Sequence, residues 1–227
     1  MKYIAHRGQP LHAPENTIPS FILAAEKEHY YGIECDIYST KDNHFVVFHN
    51  DDLMYMCKNP AKIMDLTLEE IKAFSIRAGK KIKSYSGLQI PQLSEFLEIC
   101  SKYNKAAIIE IKHIHNLTQL TDLIAVIDEY PSLEVIIISF NMNYLKYLRA
   151  LVNIPLQYLT SKLSDEMIYD CRANLIDISI SKESVKPALI KRLKKEGFKI
   201  AVFTVNDKKQ AKQFEKLGID YLTTDKL

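Results

Sequence analysis

The sequence predicts a (β/α)8 barrel, and three observations support this fold class. Short apolar runs rich in β-branched residues alternate with helical stretches along all 227 residues, which is the pattern of a parallel sheet. Eight such runs can be counted, and eight parallel strands with helices between them close into a barrel. Gly197 and Gly218 lie just beyond two candidate helices, where glycine commonly ends a helix.

The predicted elements alternate from one end of the chain to the other. Strands are predicted at residues 2–6, 33–38, 106–112, 135–139, 156–159, 175–179, 199–205 and 221–224. Helices are predicted at residues 17–29, 93–104, 117–129, 143–151, 164–173, 184–196 and 208–217. An open doubly wound sheet is the alternative, but residues 6–10 after the first strand do not supply the glycine-rich phosphate loop of such a sheet.

The stretch after the second strand departs from this alternation. Residues 45–49 have the pattern of a strand that returns beside the second one, which makes them a hairpin arm at the barrel mouth. Residues 50–92 contain a short helical pattern at 68–74 and a basic segment at 77–87. We expect this stretch to be a loop excursion at the C-terminal mouth, and residues 1–227 to form a single domain.

Composition and charge exclude several classes of protein. Hydrophobic residues at 47% and charged residues at 26% are ordinary values for a globular domain. The 30 basic and 28 acidic residues give a net charge of +2, so no global field attracts nucleic acid, and no nucleic-acid partner is expected. The four cysteines lie far apart, unlike those of a zinc site or a disulfide scaffold. Without a leader-like start or a long apolar segment, we expect no transmembrane segment and a cytoplasmic location.

The hairpin is the first candidate site. Residues i and i+2 of a strand share a face, so Glu34 and Asp36 can converge on one cation. Asp42 and Asn43 suit a two-residue hairpin loop, which would place Asp36 opposite His49. Opposed residues have Cβ atoms roughly 5 Å apart, so the imidazole is expected beside the carboxylates. Taken alone, the pattern fits an ordinary exposed hairpin equally well.

The ends of the first and third strands add further ionisable residues. In a (β/α)8 barrel the functional groups lie at the C-terminal ends of the strands. The first strand ends in His6 and Arg7, and the third ends in Glu110 and Lys112, which share a face. Charges in a barrel interior are costly unless a cation and an anion are bound there. The strand ends therefore predict a site for both.

The residue types suggest how such a site would work. Oxygen ligands from Glu34, Asp36 and Glu110 suit a divalent cation, Mg²⁺ or Ca²⁺, better than zinc. His6 and His49 would face the same mouth, and because histidine titrates near neutrality they can act as a general acid and a general base.

Other residues could contact the substrate. Arg7 and Lys112 could hold a phosphate, the arginine through two parallel hydrogen bonds and the lysine as a point charge. Phe140 and Phe203, near later strand ends, are candidates to line a small-molecule substrate pocket, although aromatic residues there are often part of the core.

A set of short segments spread over the whole chain matches one known family. The segments are His6-Arg7-Gly8, Pro14-Glu15-Asn16-Thr17, Ser20-Phe21, Gly32 with Glu34 and Asp36, Thr40, Asp42, His49, Ile90-Pro91-Gln92-Leu93, Glu110-Ile111-Lys112, Ser139-Phe140, Phe203-Thr204-Val205-Asn206 and Gly218 through Asp225. Together they resemble the glycerophosphodiester phosphodiesterases. The histidine-arginine-glycine start combined with the first carboxylate pair is the most specific part, and the later segments are individually weak.

The resemblance implies a TIM barrel that hydrolyses glycerophosphodiesters to sn-glycerol 3-phosphate and an alcohol with a divalent cation. It also implies acid/base catalysis by His6 and His49, metal binding by Glu34, Asp36 and Glu110, and phosphate contact by Arg7 and Lys112. A common proposal for the family is that one histidine helps the substrate's own hydroxyl to attack phosphorus. The other histidine protonates the leaving alcohol, and water then opens the cyclic phosphate.

Two positions depart from the family pattern. Asn50 follows the second histidine where the family usually has aspartate, which puts the orientation or pKa of His49 in question. Phe203 replaces the usual tryptophan and keeps an apolar wall without the indole donor. The alternatives left open are a phosphodiesterase acting on lysophospholipids, which an apolar barrel rim would favour, a metal-dependent barrel lyase or aldolase, and a non-catalytic barrel.

Overall fold

Eight parallel strands close into a barrel in the computed structural model, which describes residues 1–227. The strands are β1 (Lys2–Ala5), β2 (Tyr30–Ser39), β3 (Phe45–Val47), β4 (Ala106–His113), β5 (Val135–Ser139), β6 (Leu156–Thr160), β7 (Asp177–Ser181), β8 (Ile200–Phe203) and β9 (Tyr221–Thr224). Around the barrel the order is β1, β9, β8, β7, β6, β5, β4 and β2, and β2 pairs with β1 to close it. Only β3 is antiparallel, and it pairs with β2 alone. The predicted (β/α)8 barrel is confirmed.

The helices follow the strands as predicted, with two further short helices in the excursion. They are α1 (Ile18–Ala25), α2 (Met54–Cys57), α3 (Leu68–Lys72), α4 (Leu93–Lys102), α5 (Gln119–Asp128), α6 (Met142–Leu151), α7 (Asp165–Ala173), α8 (Pro187–Lys195) and α9 (Lys208–Lys216). Gly197 and Gly218, with φ of 89° and 82°, follow α8 and α9 as the expected terminating glycines. No helix has both the length and the apolar character needed to cross a membrane.

The predicted hairpin register was wrong by one residue. Ile37 pairs with Val47, and the Phe48 N–H donates to the carbonyl of Asp36 at 2.9 Å. Asp36 therefore lies opposite Phe48 and not opposite His49. The strand ends at Val47, so His49 reaches the mouth from the chain beyond the hairpin.

The turn explains the shift in register. The Thr40 N–H donates to the carbonyl of His44 at 2.8 Å, which leaves a three-residue loop at positions 41–43 instead of the predicted two. Asn43 adopts a left-handed φ of 65°, as the last residue of a three-residue hairpin loop commonly does. The Thr40 hydroxyl also donates to Asp42 at 2.6 Å and fixes the loop from inside.

The sixth predicted strand, at residues 175–179, is displaced by two residues. The sequence pattern indicated 175–179, whereas β7 runs over Asp177–Ser181. Leu175 has a left-handed φ of 53° and is exposed, so it belongs to the turn that follows α7. An apolar residue in a turn carries the same sequence signal as the first residue of a strand, which accounts for the error.

Three apolar cores hold these elements. The largest lies between the barrel and the surrounding helices, and a second fills the barrel interior with residues such as Ile108, Ile138 and Leu159. A third lies beneath residues 50–92 and includes Ile63 and Ile71. The excursion is therefore packed against the mouth by its own core.

Replacing Phe21 by alanine is expected to destabilise the protein strongly. The ring is fully buried between α1 and α4, 4.7 Å from the ring centroid of Phe96 in an edge-on contact. Loss of such an aromatic side chain costs about 3–5 kcal/mol of unfolding free energy, measurable by urea denaturation. The control Tyr169→Ala removes a ring that is 72% exposed and should change the unfolding free energy by no more than about 0.5 kcal/mol. Similar losses in both variants would contradict the packing described here.

Candidate active site

Three carboxylates converge at the barrel mouth. Glu34 and Asp36 lie on the same face of β2, and Asp36 is in register with Glu110 on β4. One oxygen from each carboxylate lies within 4.8 Å of the other two. All three residues are buried, with exposures of 1%, 0% and 9%. The predicted convergence of these side chains is thus present in the structure.

Two cationic side chains border the three carboxylates. Arg7 Nε lies 3.1 Å from Asp36 Oδ2, and the backbone N–H of Arg7 donates to Glu34 Oε2 at 2.9 Å. Lys112 Nζ lies 3.5 Å from Asp36 Oδ1 and 2.9 Å from Glu110 Oε1. Arg7 itself follows β1 with a left-handed φ of 54°, which turns its backbone N–H towards the cluster.

The carboxylates are unequally stabilised as anions. Burial and the neighbouring Asp36 raise the pKa of Glu34 to about 8. Burial also works against ionisation of Asp36, but Arg7 and Lys112 outweigh it and lower the pKa of that carboxyl. The pKa of Glu110 is raised by burial and by Asp36, with Lys112 only partly offsetting them. The cluster is therefore short of positive charge, and Glu34 is the member that holds a proton near neutral pH.

The donor set fits a hard divalent cation. Glu34 Oε1 is buried and has no partner, whereas Asp36 Oδ1 and Glu110 Oε1 are buried and share one lysine, with Lys112 Nζ at 3.5 and 2.9 Å. Buried polar atoms without partners are rare because each one costs free energy. Three converging carboxylates, one of them with an unpartnered oxygen and with no sulfur or imidazole among them, are suited to Mg²⁺ or Ca²⁺.

His6 is held by a carboxylate from the last strand. Its Nδ1 lies 2.8 Å from Asp225 Oδ1, just after β9, and Asn206 donates to the other oxygen of Asp225 at 2.5 Å. Burial would lower the pKa of His6, but the hydrogen bond to Asp225 and the charge of Glu34 outweigh it and raise that pKa. Because Nδ1 is bonded to Asp225, Nε2 is the nitrogen available for proton transfer.

His49 has a neutral partner instead. Its Nδ1 lies 2.8 Å from the side-chain oxygen of Asn50, and its carbonyl accepts from the Tyr38 hydroxyl at 3.2 Å. Burial lowers the pKa of His49, and the attraction of Asp36 is not enough to reverse this. The two histidines therefore differ in the direction of their pKa shifts. The asparagine that departs from the family pattern is the partner of the histidine with the lowered pKa.

Several residues at the site were not identified from the sequence. Asn16 donates to Asp36 Oδ2 at 2.8 Å, and Glu15 accepts from Arg7 at 3.0 Å, although in the sequence both appeared only within a family-matched segment and had no assigned role at the site. Asp225 was named only as the end of a family-matched segment and was given no role. It directly follows the last strand, and applying the strand-end criterion beyond the first three strands would have found it.

Two cavities open at the mouth, one on each side of Lys112. A cavity of about 370 Å³ is lined by Glu110, Lys112 and Phe140, and another of about 500 Å³ is lined by residues including Tyr38 and Lys112. Phe140 is 48% exposed, and its ring meets that of Phe203 edge-on at 6.0 Å. The predicted aromatic pair therefore forms part of the mouth beside the charged cluster.

Comparison with known proteins gives a consistent result. Residues 6–227 match the model of the glycerophosphoryl diester phosphodiesterase family. A glycerophosphodiester phosphodiesterase of Caldanaerobacter subterraneus is 34% identical over 98% of this chain and 93% of the relative. Another, from Bacillus altitudinis, is 29% identical over 99% of this chain and 94% of the relative.

Solved structures agree with these sequence relatives. A phosphodiesterase of Oleispira antarctica, determined in complex with the product sn-glycerol-3-phosphate, matches with a TM-score of 0.91 at 26% identity. The match covers 99% of this chain and 93% of that structure.

The two histidines should titrate in a fixed order in the metal-free protein. His6 is expected to lose its proton at a higher pH than His49, because only His6 has a carboxylate partner. Replacing Asp225 by asparagine removes that charge, so the midpoint of His6 should move to lower pH while that of His49 stays in place. Histidine NMR titrations measure both midpoints.

The reciprocal variant Asn50→Asp is the matched control for this prediction. It places a carboxylate on Nδ1 of His49 and should raise the pKa of His49 only. If the midpoint of His6 does not fall in Asp225→Asn, the hydrogen bond to Asp225 is not the cause of the raised pKa.

Proposed function

Because the chain belongs to the glycerophosphoryl diester phosphodiesterase family, we propose that it hydrolyses glycerophosphodiesters to sn-glycerol 3-phosphate and an alcohol. It is an enzyme of the phosphoric diester hydrolase class. One observation carries the proposal. Three buried carboxylates, with fewer positive charges beside them than negative ones, and two histidines whose pKa values are shifted in opposite directions lie at one barrel mouth. The Oleispira antarctica phosphodiesterase with bound sn-glycerol-3-phosphate supports the choice of product.

We propose that Glu34, Asp36 and Glu110 hold a divalent cation, Mg²⁺ or Ca²⁺. The unpartnered Oε1 and raised pKa of Glu34, and the single lysine shared by Asp36 and Glu110, support this assignment. When bound, such a cation would supply electrostatic stabilisation of the charge that develops on a phosphoryl group.

Arg7 and Lys112 are proposed to hold the phosphate. Each already pairs with Asp36, which fixes its position at the edge of the carboxylate cluster. The guanidinium has five N–H donors, and its contacts with Asp36 and Glu15 leave others for a phosphate oxygen. Lys112 is 20% exposed and lies between the two cavities, where its ammonium can meet a bound anion.

His6 and His49 are proposed to move the protons of the reaction. One accepts the proton of the glycerol hydroxyl that attacks phosphorus, and the other donates a proton to the departing alcohol. The resulting cyclic phosphate is opened by water, with the two proton transfers reversed. His6 keeps its proton to higher pH than His49 does, which favours His6 as the donor to the leaving alcohol.

The remaining assignments concern the substrate pocket and the extent of the catalytic unit. Phe140 lines the cavity beside Glu110 and its ring meets that of Phe203, and we assign both to apolar contact with the substrate's carbon atoms. We further propose that residues 1–227 act as one domain. A cytoplasmic location is proposed on the ground that all four cysteines are free thiols.

Replacing either histidine by alanine should nearly abolish turnover of glycerophosphocholine. General acids and bases each typically contribute roughly 10²–10⁴ in rate, so kcat should fall by at least about 100-fold in His6→Ala and in His49→Ala. Product analysis should identify sn-glycerol 3-phosphate for the wild type. Circular dichroism would establish that both variants remain folded.

The matched control is His29→Ala, which removes an exposed imidazole on the loop before β2. Its kcat should equal that of the wild type. Near-full activity in either His6→Ala or His49→Ala would remove the acid/base assignment, and a folded wild type without phosphodiesterase activity would remove the proposed function.

A further inference from the structure

Exposed large apolar side chains are concentrated at the barrel mouth. Leu11, in the loop after β1, and Met54 and Tyr55, in α2, are 42%, 49% and 56% exposed. We call these three residues the apolar rim. Leu117 and Phe140, which follow β4 and β5, are also exposed, so five of the eight exposed large apolar side chains lie on the mouth side. Leu151, Tyr169 and Leu175 lie elsewhere.

Unpaired basic side chains lie beside the apolar rim. Residues 76–88 contain four basic residues and no acidic one, and Lys58 lies close to Tyr55, with its Nζ 5.7 Å from the ring centroid. All of these basic residues are exposed, and none forms an ion pair. We call them the basic rim, which comprises Lys58, Arg77, Lys80, Lys81 and Lys83.

The segment that carries the basic rim has a fixed backbone. The Arg77 N–H donates to the carbonyl of Met56 at 2.6 Å, and the Ile76 N–H donates to that of Leu88 at 2.7 Å. Ile76 and Ile82 pack into the small core beneath the excursion. The apolar side chains of this segment therefore face the protein, and its lysines are left on the outside.

The two rims are adjacent across the mouth. A Cβ atom built on Gly79 would lie 2.7 Å from Pro14 Cβ, so the backbone of residues 76–88 contacts the loop after β1. Leu11 belongs to that same loop. The loop also carries Glu15, which pairs with Arg7 at the edge of the carboxylate cluster. Both rims thus border the opening of the candidate active site.

We propose that the apolar and basic rims dock this protein on the surface of an anionic lipid bilayer, with the barrel mouth towards the membrane. Apolar side chains that enter the interface and basic side chains that attract anionic head groups act together, whereas either alone gives weak binding. Lysine suits this position because its apolar stem can lie along the interface while its ammonium reaches the head groups.

The arrangement fits a bilayer better than it fits a protein partner. Leu11 lies in the loop after β1 and Met54 and Tyr55 lie in α2, none of the three lines either cavity at the mouth, and no acidic residue interrupts the basic segment. The net charge of the chain is only +2, so attraction to an anionic surface would come from this local cluster and not from the whole molecule. Docking in this orientation would also bring bilayer-resident phosphodiesters to the mouth.

Co-sedimentation with lipid vesicles tests this proposal. The wild type should pellet with phosphatidylcholine vesicles that contain phosphatidylglycerol, and far less with phosphatidylcholine alone, and added salt should weaken the binding. The triple variant Lys80→Gln, Lys81→Gln, Lys83→Gln should lower the partition coefficient roughly 100-fold, because each lysine near the surface contributes about fivefold. Leu11→Ser with Met54→Ser should lower it roughly tenfold or more.

Matched controls separate the rims from the rest of the surface. The variant Lys195→Gln, Lys212→Gln, Lys216→Gln removes the same charge from exposed positions on α8 and α9, and Tyr169→Ser with Leu175→Ser removes exposed apolar side chains. Both controls should bind vesicles as the wild type does. All of these variants should hydrolyse soluble glycerophosphocholine normally, so a failure of docking is distinguishable from a failure of the proposed function.

Three outcomes would overturn the proposal. The wild type could fail to prefer vesicles with phosphatidylglycerol, or the control variants could lose as much binding as the rim variants. The third outcome is that Leu11→Ser with Met54→Ser is retained on a heparin matrix as strongly as the wild type and also binds vesicles as the wild type does. That result would indicate a general polyanion surface instead of a bilayer surface.

Discussion

Three carboxylates buried together at the ends of neighbouring strands impose the constraint on which the rest of the mouth depends. Glu34, Asp36 and Glu110 can carry three negative charges, whereas Arg7 and Lys112 supply two positive ones, which leaves a deficit of one. Buried charges must be compensated, because desolvation otherwise costs several kcal/mol for each ion. In the metal-free protein the raised pKa of Glu34, about 8, meets this need by keeping a proton. A divalent cation would meet it by replacing that proton.

The ionisable side chains at the mouth come from a small part of the barrel's circumference. β9, β1, β2 and β4 are consecutive neighbours in the closed sheet, and they or the residues after them carry Asp225, His6 and all three carboxylates. Parallel register places the strand ends at one level, so no long loop is needed to gather the cluster. The two histidines at the mouth then differ through one contact each. His6 bonds to a carboxylate from β9, whereas His49 bonds to the amide of its own neighbour Asn50, and this difference separates their pKa values.

Most of the fold and the centre of the site could be predicted from the sequence, because period-two alternation and strand-end residues are local signals. They placed Glu34 and Asp36 on one face and brought Glu110 to them. The predictions that were wrong or missing depended on geometry that a local sequence pattern does not determine. The hairpin loop took three residues because Asn43 adopts a left-handed conformation, which moved Asp36 from His49 to Phe48. Contacts between remote segments, such as the bond from Asp225 to His6 across 219 positions, become visible only once the barrel closes.

The central claim is that a cation replaces the proton of Glu34 at the carboxylate cluster. Isothermal titration calorimetry with Mg²⁺ or Ca²⁺, repeated near pH 7 in buffers of different ionisation enthalpy, counts the protons released on binding. About one proton is predicted per cation bound to the wild type, because metal binding requires a deprotonated ligand. Little or no release is predicted for Glu34→Gln, whose side chain has no proton to lose. Absence of cation binding, or binding heats that do not depend on the buffer, would contradict the account.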